Sequence, residues 1–325
     1  MLDKMNSYSS ADGIPIKLIK NTKLINIIST RKVIPPIHAQ FIPTNKCNMN
    51  CDFCSCSKED RNSEMSIADA QYIINQLNEL GCKSVTITGG GEPLLYPDIL
   101  KLVWLFFFAG IQIGLVTNGL LLQENQEVLK CITWCRISNS DKRDFNDAYA
   151  KTLSEVAQKH CHVDWAFSHV VSTKPNIDEI KKIIVFANEH DFTHVRLVAD
   201  LINPELVPME FLKKCLRVSG IDDRKVIYQA RNEPVHGGDC YICYLKPVIG
   251  ADCKVYACCG AQYSLKNPSR RLPQELCLGS AFDLEKIVMN SAHSFNGHIC
   301  YRCYYNSYNV ILKGLLSDTE HERFV

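Results

Sequence analysis

Residues 38–54 read "HAQFIPTNKCNMNCDFC", a short strand-like stretch, "HAQFIP", that delivers the chain into a loop holding three cysteines at C-x3-C-x2-C spacing. The residues after the loop decide the fold. In "SIADAQYIINQLNELG" (66–81), Ile67, Ala70, Ile73, Ile74, Leu77 and Leu80 share one helical face, Ser66 can cap the start and Gly81 can end the helix. Strand, cysteine loop and helix thus form one unit, and the unit recurs. "SVTIT" (84–88) runs into "GGGEP", and a helix-like "PDILKLVWLFFFAG" comes next, its "LFFFAG" end reading as core. "IQIGLVTNG" gives a third strand, trailed by a helix near 121–131. The alternation continues through strand "WCRISNSD", helix "FNDAYAKTLSEVAQKH", strand "VDWAFSHVVS", helix "IDEIKKIIVFANEH", strand "THVRLVADL" and helix "PMEFLKKCL". Six consecutive strand-helix units imply a parallel sheet wrapped by helices, so the expected fold is α/β, a partial (βα)6 TIM-like barrel. Past about residue 225 the rhythm gives way to a Cys-, Gly- and Pro-rich tail, which predicts an N-terminal extension (1–36), a barrel core (37–224) and a small Cys-rich domain (225–325).

Composition narrows the function. The chain has 325 residues, 46% apolar and 22% charged, enough to bury a large core. Its net charge is +1 with both signs interspersed, so no overall field draws it to a phosphate backbone or an anionic membrane, and nucleic acid is unsupported as a partner. The start lacks an apolar h-region, and the longest apolar run, "LVWLFFFAGI" (102–111), is half the ~20 residues that span a bilayer; a cytoplasmic protein is expected. Seventeen cysteines in a reducing compartment point to metal or redox chemistry rather than a disulfide framework.

Functional groups in a parallel α/β barrel gather at the carboxyl ends of the strands. The cysteine loop follows strand one, "GGGEP" strand two, "TNG" strand three and "SNSD" strand four, so all four open onto one mouth. Three cysteines satisfy a [4Fe-4S] cluster at three irons and leave the fourth open to a nitrogen and oxygen ligand, whereas a structural zinc ion wants four protein ligands. The glycines of "GGGEP" permit close backbone approach, and Glu92 supplies a carboxylate able to accept from an ammonium group. Together these describe an amino acid chelated to iron. Zinc half-sites and ordinary turns are the competing readings of the same residues.

Cys47, Cys51 and Cys54 after strand one, with Phe53 before the last cysteine and "GGGEP" after strand two, resemble the signature of the radical S-adenosylmethionine (radical SAM) enzymes over roughly residues 36–220. The resemblance implies that these three cysteines ligate a [4Fe-4S] cluster whose open iron binds the amino and carboxylate groups of S-adenosylmethionine. It implies further that reductive cleavage yields a 5′-deoxyadenosyl radical, which takes a hydrogen atom from substrate. Gly89, Gly90, Gly91 and Glu92 would hold the methionine amino group, and Ser138 and Ser140 look like strand-four contacts to ribose or carboxylate. Lys151 sits where relatives place a basic residue for the carboxylate, with Arg143 competing, and Val198 resembles the backbone position beside adenine. Asn118 of "TNG" is a further cofactor contact on this reading.

The tail adds Cys240-x2-Cys243, Cys258-Cys259 and Cys300-x2-Cys303, an arrangement similar to the SPASM and twitch domains that bind auxiliary [4Fe-4S] clusters. One auxiliary cluster is implied, on Cys258, Cys300 and Cys303 with either Cys240 or Cys243; "IGADCKVYACC" resembles the hairpin of those domains, with Cys253 where a glycine usually stands. A zinc knuckle is the alternative for the same thiols. Cys56, just past the cluster loop, is a candidate hydrogen-atom donor to a substrate radical, whereas the histidines at 160, 162, 169 and 194 read as packed or surface residues. The expected substrate is a peptide or a small polar molecule, the alternative being dehydrogenation, dehydration or epimerisation of a sugar, aminoglycoside or nucleoside. Flavodoxin or ferredoxin would serve as electron donor. The reading from a different class is a zinc-stabilised binding protein without radical chemistry.

Overall fold

A computed structural model describes residues 17–202, 204–230 and 235–318 of the chain. Seven strands lie side by side in chain order and all parallel: β1 (His38–Phe41), β2 (Ser84–Ile87), β3 (Gln112–Thr117), β4 (Trp134–Ser140), β5 (Asp164–Val171), β6 (His194–Ala199) and β7 (Val226–Gln229). Parallel neighbours need crossovers, and helices supply most of them. After α1 (Thr22–Arg31), these are α2 (Ile67–Glu79), α3 (Ile99–Phe108), the single turn α4 (Gln126–Leu129), α5 (Asp147–Lys159), α6 (Ile177–Glu189) and α7 (Met209–Val218).

Local signals act as the sequence predicts at α2: the Ser66 hydroxyl accepts from the Asp69 N–H at 3.1 Å, and Gly81 takes φ +84° just past the end. At α3 the expectation that "LFFFAG" is core fails in part. Phe106 is fully buried against Phe41, ring centroids 5.2 Å apart, but Phe108 is 80% exposed. A helix turns through about 100° per residue, so consecutive phenylalanines cannot all face the sheet. The helix expected near 121–131 shrinks to α4 because its polar start, "QEN", is taken up in turns.

The two faces of the sheet differ in chemistry. Phe41, Ile87, Leu115, Ile137, Phe167 and Leu197 point outward and are buried beneath the helices. The alternate residues Gln40, Thr86, Arg136, Ser138, Ser168 and Arg196 all line one cavity of about 780 Å³, so the sheet curls round it. TIM barrel interiors are usually filled by branched apolar side chains. This one is hollow, and its wall mixes those polar groups with Val116, Ala166, Val170 and Val198.

β7 lies beyond the 224/225 boundary expected from sequence, yet it pairs with β6 in parallel, Arg196 opposite Ile227. It is four residues long and has no helix behind it, so the alternation that marks the other strands is missing. The tail is joined to the barrel at the opposite edge. β8 (Asp239–Cys240) and helix α8 (Ile242–Leu245) lead into β9 (Val248–Ile249), which pairs in parallel with β1; β10 (Lys254–Tyr256) and β11 (Cys277–Ser280) extend the same sheet. β12 (Phe295–Asn296) returns to pair with β8. Ile28 of α1 and Leu312 of the last helix (Asn306–Leu316) are buried in the apolar cluster of the tail, so residues on both sides of the barrel build one unit.

Asn309 of that last helix is 3% exposed, and its side-chain oxygen accepts the N–H groups of both Tyr241 and Ile242 at 2.8 Å. Replacing Asn309 with Leu orphans two buried donors, and urea unfolding should record a loss of about 2–4 kcal/mol.

Candidate functional site

The cysteine loop is fastened at its base before any thiol is reached. Thr44 forms an isolated bridge with Glu64, and its hydroxyl donates to the Glu64 carboxylate at 2.8 Å. The "GGGEP" turn is bonded onto the same base: the Gly91 N–H donates to the Thr44 carbonyl at 3.1 Å and the Glu92 N–H to the Lys46 carbonyl at 2.7 Å. A Cβ on Gly90 would stand 1.7 Å from the Asn45 side-chain oxygen, and one on Gly91 would stand 1.9 Å from the Lys46 carbonyl. The glycines are required first by another stretch of backbone. Arg61, which sequence reasoning missed, clamps the junction by donating to the Asn45 carbonyl at 3.0 Å and the Gly90 carbonyl at 3.3 Å.

Cys47, Cys51, Phe53 and Cys54 are half-buried on this loop. The Met49 N–H donates to the Cys47 sulfur at 3.5 Å and the Cys56 N–H to the Cys54 sulfur at 3.4 Å, the kind of N–H support that thiolates on an iron-sulfur cluster receive. Three thiols on one loop, two of them supported by N–H donors, are a donor set that fits a four-iron cube with one thiolate per corner.

Glu92 departs from expectation. It is 2% exposed, and its carboxylate accepts from the Thr117 hydroxyl at 2.6 Å, the Asn118 N–H at 2.8 Å and the Leu94 N–H at 3.1 Å. Burial pushes its pKa up, and these donors pull against the shift. A carboxylate turned inward and engaged three times holds the "TNG" turn in place rather than facing an ammonium group. Asn118 in turn donates to the Asn48 side chain at 2.7 Å, tying strand three to the cysteine loop.

The basic residue expected at 151 is also displaced. Lys151 is exposed on α5, whereas Arg143 donates to the carbonyls of Asn118 and Ser138 and lies over the Tyr149 ring at 4.6 Å. Lys142 pairs with Asp52 of the cysteine loop. Ser138 and Val198 line the large cavity; Ser140 is buried at the strand end outside it. Cys56 lines the cavity too, 5% exposed, and receives the Gln262 amide at 3.6 Å. Contact with Cys54 and burial hold its thiol protonated.

In the tail, Cys240, Cys258, Cys300 and Cys303 line one small cavity, with Gly237 and Gly297 giving the backbone room. A Cβ on Gly297 would meet the Gly238 carbonyl at 2.5 Å. Cys243 is turned away, fully buried in the apolar cluster, and its thiol donates to the Cys240 carbonyl at 3.4 Å. Cys253 occupies the left-handed turn of the β9–β10 hairpin at φ +57° and packs on the barrel side, apart from the other thiols. Cys259 faces the large cavity instead, its sulfur 3.0 Å from the Tyr305 hydroxyl.

Residues 41–137 match the family model described as the Radical SAM superfamily. Among curated proteins, the chain is 30% identical over 162 residues to an AdoMet-dependent heme synthase of Methanosarcina barkeri, covering 45% of each. It is 38% identical over 159 residues to a probable GTP 3′,8-cyclase of Methanococcus maripaludis, covering 47% of this chain and 46% of that protein. The chain spans about half the length of these relatives. Among solved structures, Streptococcus suis SuiB bound to the precursor peptide SuiA superimposes with a TM-score of 0.60 at 15% identity, covering 84% of this chain and 70% of that one. The structure of anSMEcpe with bound AdoMet and the Cp18Cys peptide gives 0.56 at 15% identity, covering 90% and 86%. At these identities the likeness is one of fold.

His194, at the start of β6 in the large cavity, has its pKa driven down to about 3 by burial and then by the cations of Arg136 and Arg196. An unfolded histidine titrates near pH 6.5, so between that pH and 3 the unfolded chain binds the extra proton and stability falls as pH falls. His194→Gln should flatten that acid slope, as followed by urea midpoints between pH 7 and 4.

Proposed function

We propose that this chain, which belongs to the radical SAM superfamily, is an enzyme that takes a hydrogen atom from a peptide or small polar substrate held in the barrel cavity. The observation that carries the reading is the convergence of the cysteine loop, the glycine turn and the "TNG" turn on the carboxyl ends of β1, β2 and β3, hydrogen-bonded to one another at the rim of that cavity. When bound, a [4Fe-4S] cluster and S-adenosylmethionine supply the one-electron cleavage that furnishes a deoxyadenosyl radical.

The chain's own residues do the rest. Cys47, Cys51 and Cys54 would hold the cluster, and their half-buried loop limits water at the sulfurs. The backbone of Gly89, Gly90 and Gly91 would receive the methionine ammonium, since the Glu92 carboxylate is spent on the neighbouring turn. Arg143, fixed by two carbonyls, is the better candidate than Lys151 for the methionine carboxylate. Ser138 and Val198 would contact the nucleoside from the cavity wall. Cys56 carries a protonated thiol on the same wall, as a hydrogen-atom donor requires.

Cys240, Cys258, Cys300 and Cys303 would hold one auxiliary cluster, as four thiols around one cavity favour over Cys243. An external flavodoxin or ferredoxin would supply the electron. The names of the curated relatives, heme synthase and GTP cyclase, favour a small molecule; the SuiB complex with its precursor peptide keeps a peptide as second reading.

Anaerobic reconstitution should give about eight irons per chain, falling to about four when Cys47, Cys51 and Cys54 are replaced by Ala, or when Cys300 and Cys303 are. Cys51→Ala should abolish release of deoxyadenosine on reduction with S-adenosylmethionine while circular dichroism stays unchanged. Turnover by that variant, or zinc in place of iron at both sites, would overturn the reading.

A further inference from the structure

The walls of the large cavity carry a charge imbalance that radical chemistry by itself does not call for. Among the described residues, Lys17, Lys83, Lys246, Arg136 and Arg196 line it, against the acid Asp164 at the foot of β5. Two of these cations stand well inside. Arg136 is level with Ala166 and His194 across the sheet, and Arg196 is level with Ser168 and Ser138, so the two guanidinium groups rise from β4 and β6 at adjacent levels of the same inner face. Arg196 is held by Ser168, whose hydroxyl accepts from Nε at 3.2 Å and Nη2 at 2.8 Å. Arg136 lies 5.2 Å from the Trp134 ring centroid, and its Nε is buried with no acceptor among the described residues. The indole is itself seated where only glycine leaves room, since a Cβ on Gly114 would stand 2.1 Å from it.

Leaving the buried Nε of Arg136 without an acceptor, next to a second cation, is costly unless something of opposite sign meets it. Burial, and then Arg196, push the pKa of Arg136 well below that of a free guanidinium. A planar fork with a free buried N–H, backed by an aromatic face and paired with a second fork, suits an oxyanion.

We infer that Arg136 and Arg196 form an anchoring site for an oxyanion, a carboxylate or phosphate group, on a small substrate held in the barrel. The inference rests on reading this cavity as the substrate chamber, and it narrows the substrate to an anionic small molecule. The shared chemistry is two or more coplanar or tetrahedral oxygens with negative charge. Among the described residues, the five cations against one acid would draw such a molecule inward from the rim.

The test uses the full chain without S-adenosylmethionine, so that its outcome is independent of radical chemistry. Thermal unfolding is followed while inorganic phosphate or malonate is titrated, against sodium chloride at matched ionic strength. One or both probes should raise the midpoint, phosphate alone marking a phosphate site and malonate alone a carboxylate site. In Arg136→Met the response should correspond to binding at least about tenfold weaker, and in Arg136→Lys to an intermediate loss, because charge is kept and the fork is not. Relief of repulsion should leave ligand-free Arg136→Met at least as stable as the parent, which a purely structural arginine would not allow. No response of the parent to either probe, or a full response in Arg136→Met, would overturn the assignment. Failure of deoxyadenosine release with the oxyanion response intact would instead strike only the radical reading.

Discussion

The rim of the barrel depends on a buried carboxylate. Glu92 follows three glycines, of which Gly90 and Gly91 press against the base of the cysteine loop, and its side chain then reaches across to strand three, where Thr117 and Asn118 deliver their donors to it. The backbone N–H of the same residue is bonded to Lys46. One residue therefore fixes the relative height of three loops on three adjacent strands. A buried carboxyl group with three donors in a closed pocket is stiff, because removing any partner leaves a polar group unsatisfied. The half-buried thiols inherit their spacing from that stiffness.

Beneath the rim, the sheet keeps its apolar side for the helices and its polar side for the cavity. The outward face, with Phe167 stacked on Phe192 at 4.9 Å, supplies the burial that stabilises the barrel. The inward face contributes little to that and carries cations instead. Stability and recognition are assigned to opposite faces of the same strands, with Arg136 between Cys135 and Ile137 as the plainest case. A site built on strands in this way is held more tightly than one carried by loops alone.

Much of the architecture is legible in the sequence because it rests on period and punctuation. The α2 face, the Ser66 cap and the Gly81 stop follow from local chemistry, and the placing of cysteines and glycines after successive strands follows from parallel topology. The parts that escape depend on contacts between distant segments. Whether Glu92 points out or in depends on Thr117, twenty-five positions away, and whether Arg143 or Lys151 serves the rim depends on where α5 begins. Cys240 ends β8 and faces the small cavity, whereas Cys243 lies on the one-turn helix that follows and faces the apolar cluster. β7 lacks a helix to mark it. One further signal does lie in the sequence: a strand covered on both sides of a parallel sheet should be apolar throughout, yet "WCRISNS" alternates, with a charged residue near its middle. That alternation marks a wall facing solvent-filled space.

The join between β9 and β1 bears on how the chamber is filled and emptied. Beyond the strand pairing itself, main-chain bonds run from Ile37 to Leu245, from Gln40 to Pro247 and from Ile42 to Ile249, at 3.0, 2.9 and 2.9 Å, so the Cys-rich unit is an extension of the wall rather than a flap resting on it. Lifting it would tear a parallel ladder whose neighbours are already fully paired. Exchange of occupants is therefore not a matter of a door swinging at this seam.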